Sequence, residues 1–182
     1  MSRADREKWD RRWLKRDAHS GLGADPFLVE VLPRLRRGRA LDLGAGEGRN
    51  ALLLAGSGFR VDALDISPVA LDRAARAARE RGLPVRCAVV DLEAWLPPAG
   101  TYDLVVGVDF YQRPLLLAAR EAVRPGGAVL AAQYAPGTHG AHEVSPAYRF
   151  ELEDLRALLS GFDVRVAREQ GGRREFLAVR VR

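Results

Sequence analysis

Ala40-Leu-Asp-Leu-Gly-Ala-Gly-Glu-Gly-Arg-Asn50 is an apolar run that stops in three glycines at alternate positions and resumes as helix-forming sequence. This is how a buried strand turns sharply into a helix with its backbone bare. Glycine has no Cβ, so a ligand can approach the main chain of such a turn. The helix start also leaves free N–H groups. A second apolar run, Val61-Asp-Ala-Leu-Asp65, ends in a carboxylate. Asp65 falls roughly twenty residues past the first glycine, the offset at which an acid meets ribose hydroxyls in nucleotide-binding sheets.

The spacing separates two classes of ligand. The dinucleotide fingerprint G-x-G-x-x-G brings its turn against a pyrophosphate. Here the glycines are Gly44, Gly46 and Gly48, and Arg49 stands where that fingerprint has its third glycine. An acid, Asp42, lies two residues before Gly44. A carboxylate there suits a cationic ligand better than a pyrophosphate, which disfavours a nucleotide-dependent oxidoreductase.

Outward from this turn, strand-like and helix-like segments alternate. The patterns predict strands over 40–43, 60–64, 84–90, 102–108 and 128–134, separated by helices over about 47–56, 67–81 and 114–123. Pro125-Gly-Gly127 reads as a turn before the fifth strand. Residues 135–149 read as loop, 151–159 as helix, and 162–168 with 174–181 as a hairpin around Gly171-Gly172. Ahead of the core, Trp9 and Trp13 share one face of a helix over 3–16, and Asp25-Pro26 caps a helix running to Leu35. Strands alternating with helices imply an α/β fold, a doubly wound, mostly parallel sheet with helices on both faces and a C-terminal antiparallel hairpin strand. We expect one domain over 1–182, with a helical cover (1–37), a ligand-binding core (38–134) and a substrate-side loop and closing hairpin (135–182).

Ligands of such sheets sit at the carboxyl ends of the strands. Asp42, Asp65, Asp91 and Asp109 all fall at or near those ends. Crowded carboxylates repel unless a cation or several hydroxyl donors offset them.

Asp-Leu-Gly-Ala-Gly-Glu-Gly resembles motif I of the class I S-adenosylmethionine-dependent methyltransferases, and the likeness is clear from about residue 38 to 134. It implies a Rossmann-like fold, S-adenosylmethionine as cofactor and S-adenosylhomocysteine as product. It implies a glycine turn (Asp42, Gly44, Ala45, Gly46, Asn50) beneath the methionine part. Asp65 would bind the ribose, Ile66 would pack on adenine, and Asp91 and Leu92 would hold the adenine amine and ring edge, with Asp109 at the end of the fourth strand. Arg124-Pro-Gly-Gly127 matches a turn common in the family. The short chain, Lys8-Trp9-Asp-Arg-Arg-Trp13, Phe110-Tyr-Gln-Arg-Pro-Leu115 and Ser145-Pro-Ala-Tyr-Arg-Phe-Glu-Leu-Glu-Asp154 are similar to the small tellurite-resistance and thiopurine-type methyltransferases.

The chain of 182 residues is 47% apolar, which fits a single folded core. No apolar run approaches the ~20 residues of a membrane helix. The charged opening shows no secretion signal, and a single cysteine, Cys87, rules out an internal disulfide and fits a reducing cytoplasm. Net charge is +5 and is carried almost wholly by arginine, with the surplus at Arg3 to Arg16 and Arg165 to Arg182. The two ends could serve RNA, although the chain lacks the Asn/Asp-Pro-Pro-Tyr/Phe pattern of enzymes that flip out bases.

Methyl transfer from a sulfonium gains chiefly from alignment and exclusion of water. No base is announced by spacing, which favours a small, soft or already anionic acceptor such as a thiol or a metalloid. Candidate acceptor-pocket residues are Trp9, Trp13, Asp109, Tyr111, Arg113, His139, His142 and Arg149. His139 and His142 lack a third ligand, so no metal is expected. A monomer or homodimer is expected. The alternatives are an RNA methyltransferase and a non-catalytic module that only binds the cofactor.

Overall fold

The computed structural model describes residues 3–15, 23–135 and 150–181. Seven strands form one sheet: β1 (Arg39–Leu43), β2 (Arg60–Asp65), β3 (Val85–Val89), β4 (Tyr102–Val108), β5 (Val123–Tyr134), β6 (Phe162–Gln170) and β7 (Arg173–Arg180). Their order is β3-β2-β1-β4-β5-β7-β6. The first five run parallel, and β7 runs antiparallel to both β5 and β6. The closing hairpin thus inserts its last strand between β5 and β6.

Helices flank the sheet: α1 (Arg3–Leu14), α2 (Pro26–Val31), α3 (Arg49–Gly56), α4 (Pro68–Glu80), α5 (Arg113–Ala122) and α6 (Leu152–Leu158). Two cores result. One joins α2 and α3 to the sheet through Phe27, Val31, Leu54, Phe59 and Val106. The other joins α5 and α6 to the opposite face through Leu41, Tyr102, Leu115, Phe150 and Leu155. The chain winds β1-α3-β2-α4-β3 one way and then returns to β4 beside β1. Strand order therefore reverses between β1 and β4, and their diverging carboxyl ends leave a crevice.

Local chemistry sets the boundaries. The Asp25 carboxylate accepts from the N–H groups of Phe27 (3.0 Å) and Leu28 (3.4 Å), and Ser67 Oγ accepts from Ala70 N–H (3.2 Å). Both are helix N-caps followed by proline. The second helix is shorter than the sequence predicts. It tightens into a 3-10 turn at Leu32–Arg34, because Pro33 has no N–H to continue the α ladder. The helix predicted from 47 begins at Arg49, since Gly48 caps it in the left-handed region. Strand 84–90 is trimmed to Val85–Val89. The turn predicted at Pro125-Gly-Gly127 lies inside β5. Val123 pairs with Tyr102 and Ala128 with Leu104, so the extra β5 residues bulge out between two adjoining pairs.

At the amino ends of the strands, Asp62 is 5% exposed and gathers three donors. It accepts from Arg39 Nε (2.9 Å), Arg86 Nε (2.9 Å) and the Tyr102 hydroxyl (3.0 Å). Burial, and then the Asp62 charge, push the Tyr102 phenol up to about 12, which keeps it a donor. Asp62→Ala is expected to cost about 2–3 kcal/mol in urea unfolding, chiefly by stranding the buried Tyr102 hydroxyl. A loss below 0.5 kcal/mol would show that the hub is not a structural element.

Candidate active site

The glycine turn sits at the switch point. Gly44, Gly46 and Gly48 have φ of 69°, 55° and 79°. Ala45 N–H donates to the Leu64 carbonyl (2.9 Å), which ties the turn to β2. Gly46 N–H donates to Asp65 Oδ2 (2.8 Å), and Ser67 N–H donates to Asp65 Oδ1 (2.9 Å). One half-buried carboxylate thus fixes both the turn after β1 and the turn after β2. Burial raises its pKa, against the pull of these backbone donors. Gly48 serves a different purpose. A Cβ there would lie 2.8 Å from Ala74 Cβ, so its absence lets α4 close on the turn.

Two aromatic rings cover the bare backbone. A Cβ at Gly44 would come within 2.7 Å of Phe110 Cγ, and one at Gly46 within 2.9 Å of Trp13 Cζ2. Trp13 arrives on α1, which packs against α4. Asp10, on the same helix, accepts from Ser67 Oγ at 2.5 Å. Trp9 is half-buried beneath the Arg12 guanidinium, 5.1 Å from its ring centre.

Asp42 lies under the turn, 1% exposed, and its Oδ2 has no hydrogen-bond partner. Burial pushes its carboxyl up to about 7, Arg49 pulls it down and Asp65 adds to the rise. A folded-state pKa above the unfolded value means that the native protein holds the extra proton between about pH 4 and 7. Stability is therefore expected to fall as pH rises through that window and then to level off. The full span is on the order of 4 kcal/mol. Asp42→Asn is expected to flatten this slope in thermal melts from pH 4 to 8. An unchanged slope would place the titrating group elsewhere.

After β4 the chain turns at Asp109, the described non-glycine residue with positive φ (53°). Arg49 donates to its Oδ2 (3.2 Å), and Arg173 lies 3.8 Å from its Oδ1. Burial raises its pKa, while Arg173 and Arg49 oppose that. Arg173 also donates to Asp25 Oδ2 (2.5 Å) and stacks on Tyr134, 4.5 Å from the ring centre. Asn50 is buried, and its Oδ1 accepts from Asp25 N–H (2.9 Å), so it binds the cover to α3.

The structure brings Asp42, Gly44, Ala45, Gly46, Asp65 and Asp109 to one crevice. Val90 N–H donates to the Asp65 carbonyl (2.9 Å), which sets Asp91 just past Asp65 on the neighbouring strand. Asp91 Oδ1 accepts from Glu93 N–H (2.9 Å), and Ile66 and Leu92 are buried. Tyr111 is 8% exposed and packs tilted on Phe150, 5.7 Å between ring centres, beside a small cavity lined by Leu43, Val105 and Leu115. Arg113 is exposed and lies 3.7 Å from Asp154. His139, His142 and Arg149 lie outside the described residues. Among the described residues no group of three His, Cys, Asp or Glu could hold a metal ion.

Sequence reading missed Asp10, Asp25, Ser67, Phe110 and Arg173 as site residues. Asp25 and Ser67 carry a cap signal, which hides a second role. Arg173 is 148 residues from Asp25, and no local pattern joins them.

A family model described as a methyltransferase domain matches residues 40–127. The chain is 36% identical over 118 residues to a ubiquinone biosynthesis O-methyltransferase of Methylocella silvestris, covering 58% of this chain and 46% of that one. It spans about half the length of that curated relative. TehB from Haemophilus influenzae shares the fold at a TM-score of 0.70 and 17% identity, over 96% of this chain and 66% of that one. Phosphoethanolamine N-methyltransferase 2 of Haemonchus contortus, solved with S-adenosyl-L-methionine, matches at 0.71 and 18%, over 94% and 56%. The glycine turn, at the switch point of this strand order, lies inside the matched stretch, so residues 40–127 are similar to a methyltransferase domain on the fold that these S-adenosylmethionine-dependent enzymes share.

Proposed function

We propose that the chain transfers a methyl group from S-adenosylmethionine to a small-molecule acceptor, with S-adenosylhomocysteine as the second product. One observation carries the reading. The glycine turn offers main chain without a Cβ beneath the Phe110 and Trp13 rings, and two carboxylates converge on it, one of them buried with an unpartnered oxygen. A cation suits that setting, because it would offset the charge of Asp42 and Asp65. The bound cofactor supplies an electrophilic methyl on a positively charged sulfur.

The residues then divide the work. Asp42, which burial holds toward the neutral acid, would be drawn to its charged form by a cation over the turn. Gly44 and Gly46 admit the ligand to the main chain. Asp65 keeps lone pairs for ribose hydroxyls while holding Gly46 and Ser67. Ile66, Leu92 and Asp91 flank the adenine end. Phe110 and Trp13 wall the turn and exclude water, so α1 covers the cofactor. Asp109, Tyr111 and Arg113, on the segment after β4, are our candidates for the acceptor side, with Trp9. The acceptor of first choice is a thiol or a metalloid, which needs no base.

An oxygen acceptor is the second reading. It would need a base. Asp109 Oδ1 is buried without a hydrogen-bond partner, and burial raises the affinity of that carboxylate for a proton. The curated relative is named for O-methyl transfer.

The test is release of S-adenosylhomocysteine over thiols, metalloid oxyanions, phenols, amines and RNA. Turnover with a small acceptor is expected. Cofactor binding without turnover on any acceptor would favour a non-catalytic module, and turnover on RNA alone would favour an RNA methyltransferase.

A further inference from the structure

The two poles of the sheet carry opposite charge. The carboxyl pole holds Asp42, Asp65, Asp91 and Asp109. The amino pole is built of arginine. Arg39 opens β1 and Arg60 opens β2 in register with it, while Arg86 pairs with Asp62 across the next ladder. Arg36 and Arg124 approach the same edge through Asp103, at 3.9 Å and 3.3 Å. Among the described residues, Asp62 and Asp103 are the acids that offset these five guanidiniums directly, and both are buried. They hold Arg39, Arg86, Arg36 and Arg124 in place from below, while the guanidiniums stay in reach of solvent, with Arg36 63% and Arg86 70% exposed.

The surplus of the basic C-terminal run is offset in the described residues by acids from elsewhere in the chain. Arg165 pairs with Asp163, Arg168 with Glu30 and Glu175, Arg173 with Asp25, Arg174 with Glu151 and Glu169, and Arg180 with Glu121. Arginine is therefore less offset by acids at the amino pole than along the C-terminal run. In the described part of the chain, Arg60 there is exposed and has no acidic partner.

We propose that this pole binds the phosphate backbone of a nucleic acid. The side chains are guanidiniums, planar forks that match phosphate oxygens two at a time. Buried carboxylates fix their positions beforehand, so less freedom is lost on binding. The strands between the poles set the two sites about 20 Å apart, at roughly 3.3 Å per residue. Phosphates bound at the amino pole therefore do not enter the methyl-transfer crevice, and the surface tethers the protein rather than presenting its acceptor.

The experiment is fluorescence anisotropy of the full chain with labelled single-stranded RNA and duplex DNA, from 50 to 200 mM salt. Binding is expected to weaken at least 10-fold over that range, since several phosphates would be neutralised. Arg36→Glu with Arg60→Glu is expected to weaken it a further 10-fold or more and to leave S-adenosylmethionine affinity unchanged by calorimetry. Arg165→Glu is expected to change nothing. Three results would overturn the proposal: no salt-sensitive binding, equal binding by the double variant, or polyglutamate binding as tight as RNA. The last would point to an acidic protein partner. A cofactor-binding failure in the parent protein would instead strike the methyltransferase reading.

Discussion

Asp65→Ala is expected to weaken S-adenosylmethionine binding about 100-fold while the protein still unfolds cooperatively. Hydrogen bonds to a charged acceptor contribute about 1.5–3 kcal/mol each. Losing two ribose contacts thus costs about 3 kcal/mol, or about two decades in Kd. The same carboxylate also holds the N–H groups of Gly46 and Ser67, so part of the loss would come from a looser turn. Asp65→Asn separates the parts. It keeps an oxygen for one backbone donor and removes the charge, and it should fall between the parent and the alanine variant. Ser67→Ala is the control, because it breaks the Asp10 contact and leaves Asp65 in place. Calorimetry measures all three. Parent-like affinity in Asp65→Ala would remove the ribose assignment.

Gly46→Ala should damage stability and cofactor binding together. With φ at 55°, an L-residue pays about 1–2 kcal/mol for the left-handed conformation. The new Cβ would also stand 2.9 Å from Trp13 Cζ2, so the ring must shift. We expect a stability loss of about 2–3 kcal/mol in urea and no measurable cofactor binding. A double-mutant cycle with Trp13→Ala isolates the collision. The cost of Gly46→Ala should drop by about 1 kcal/mol when the ring is gone. Cofactor binding should stay lost, because the methyl still fills the cradle. Equal costs in both backgrounds would mean that α1 does not rest on the turn.

These two expectations show what local sequence carries. Alternate glycines after an apolar run, and an acid at the end of the next, are short-range signals, and both fall where the chain must bend at the edge of the sheet. Caps at Asp25 and Ser67 followed by proline are equally local. What was misread is also instructive. Pro125-Gly-Gly127 has the composition of a turn, yet strand pairing on both sides draws it into β5 as a bulge. Pro33 shortened a helix that apolar periodicity alone would extend. The surplus at Arg165 to Arg182 gave no sign of its partners, because Glu30, Asp25, Glu151 and Glu121 lie far away in sequence.

The sequence by itself determined the α/β alternation, the glycine bend, the acids at the strand ends and the cationic cofactor they suit, because each depends on neighbours within a few residues. Only the tertiary structure decided that Trp13 and Phe110 roof the turn and that Asp65 ties two turns together. The same holds for the bond of Arg173 to Asp25 and for the gathering of five arginines over two buried aspartates at the amino pole. Such contacts join residues tens of positions apart. They arise when strand order reverses between β1 and β4, and the packing of the whole sheet sets that reversal.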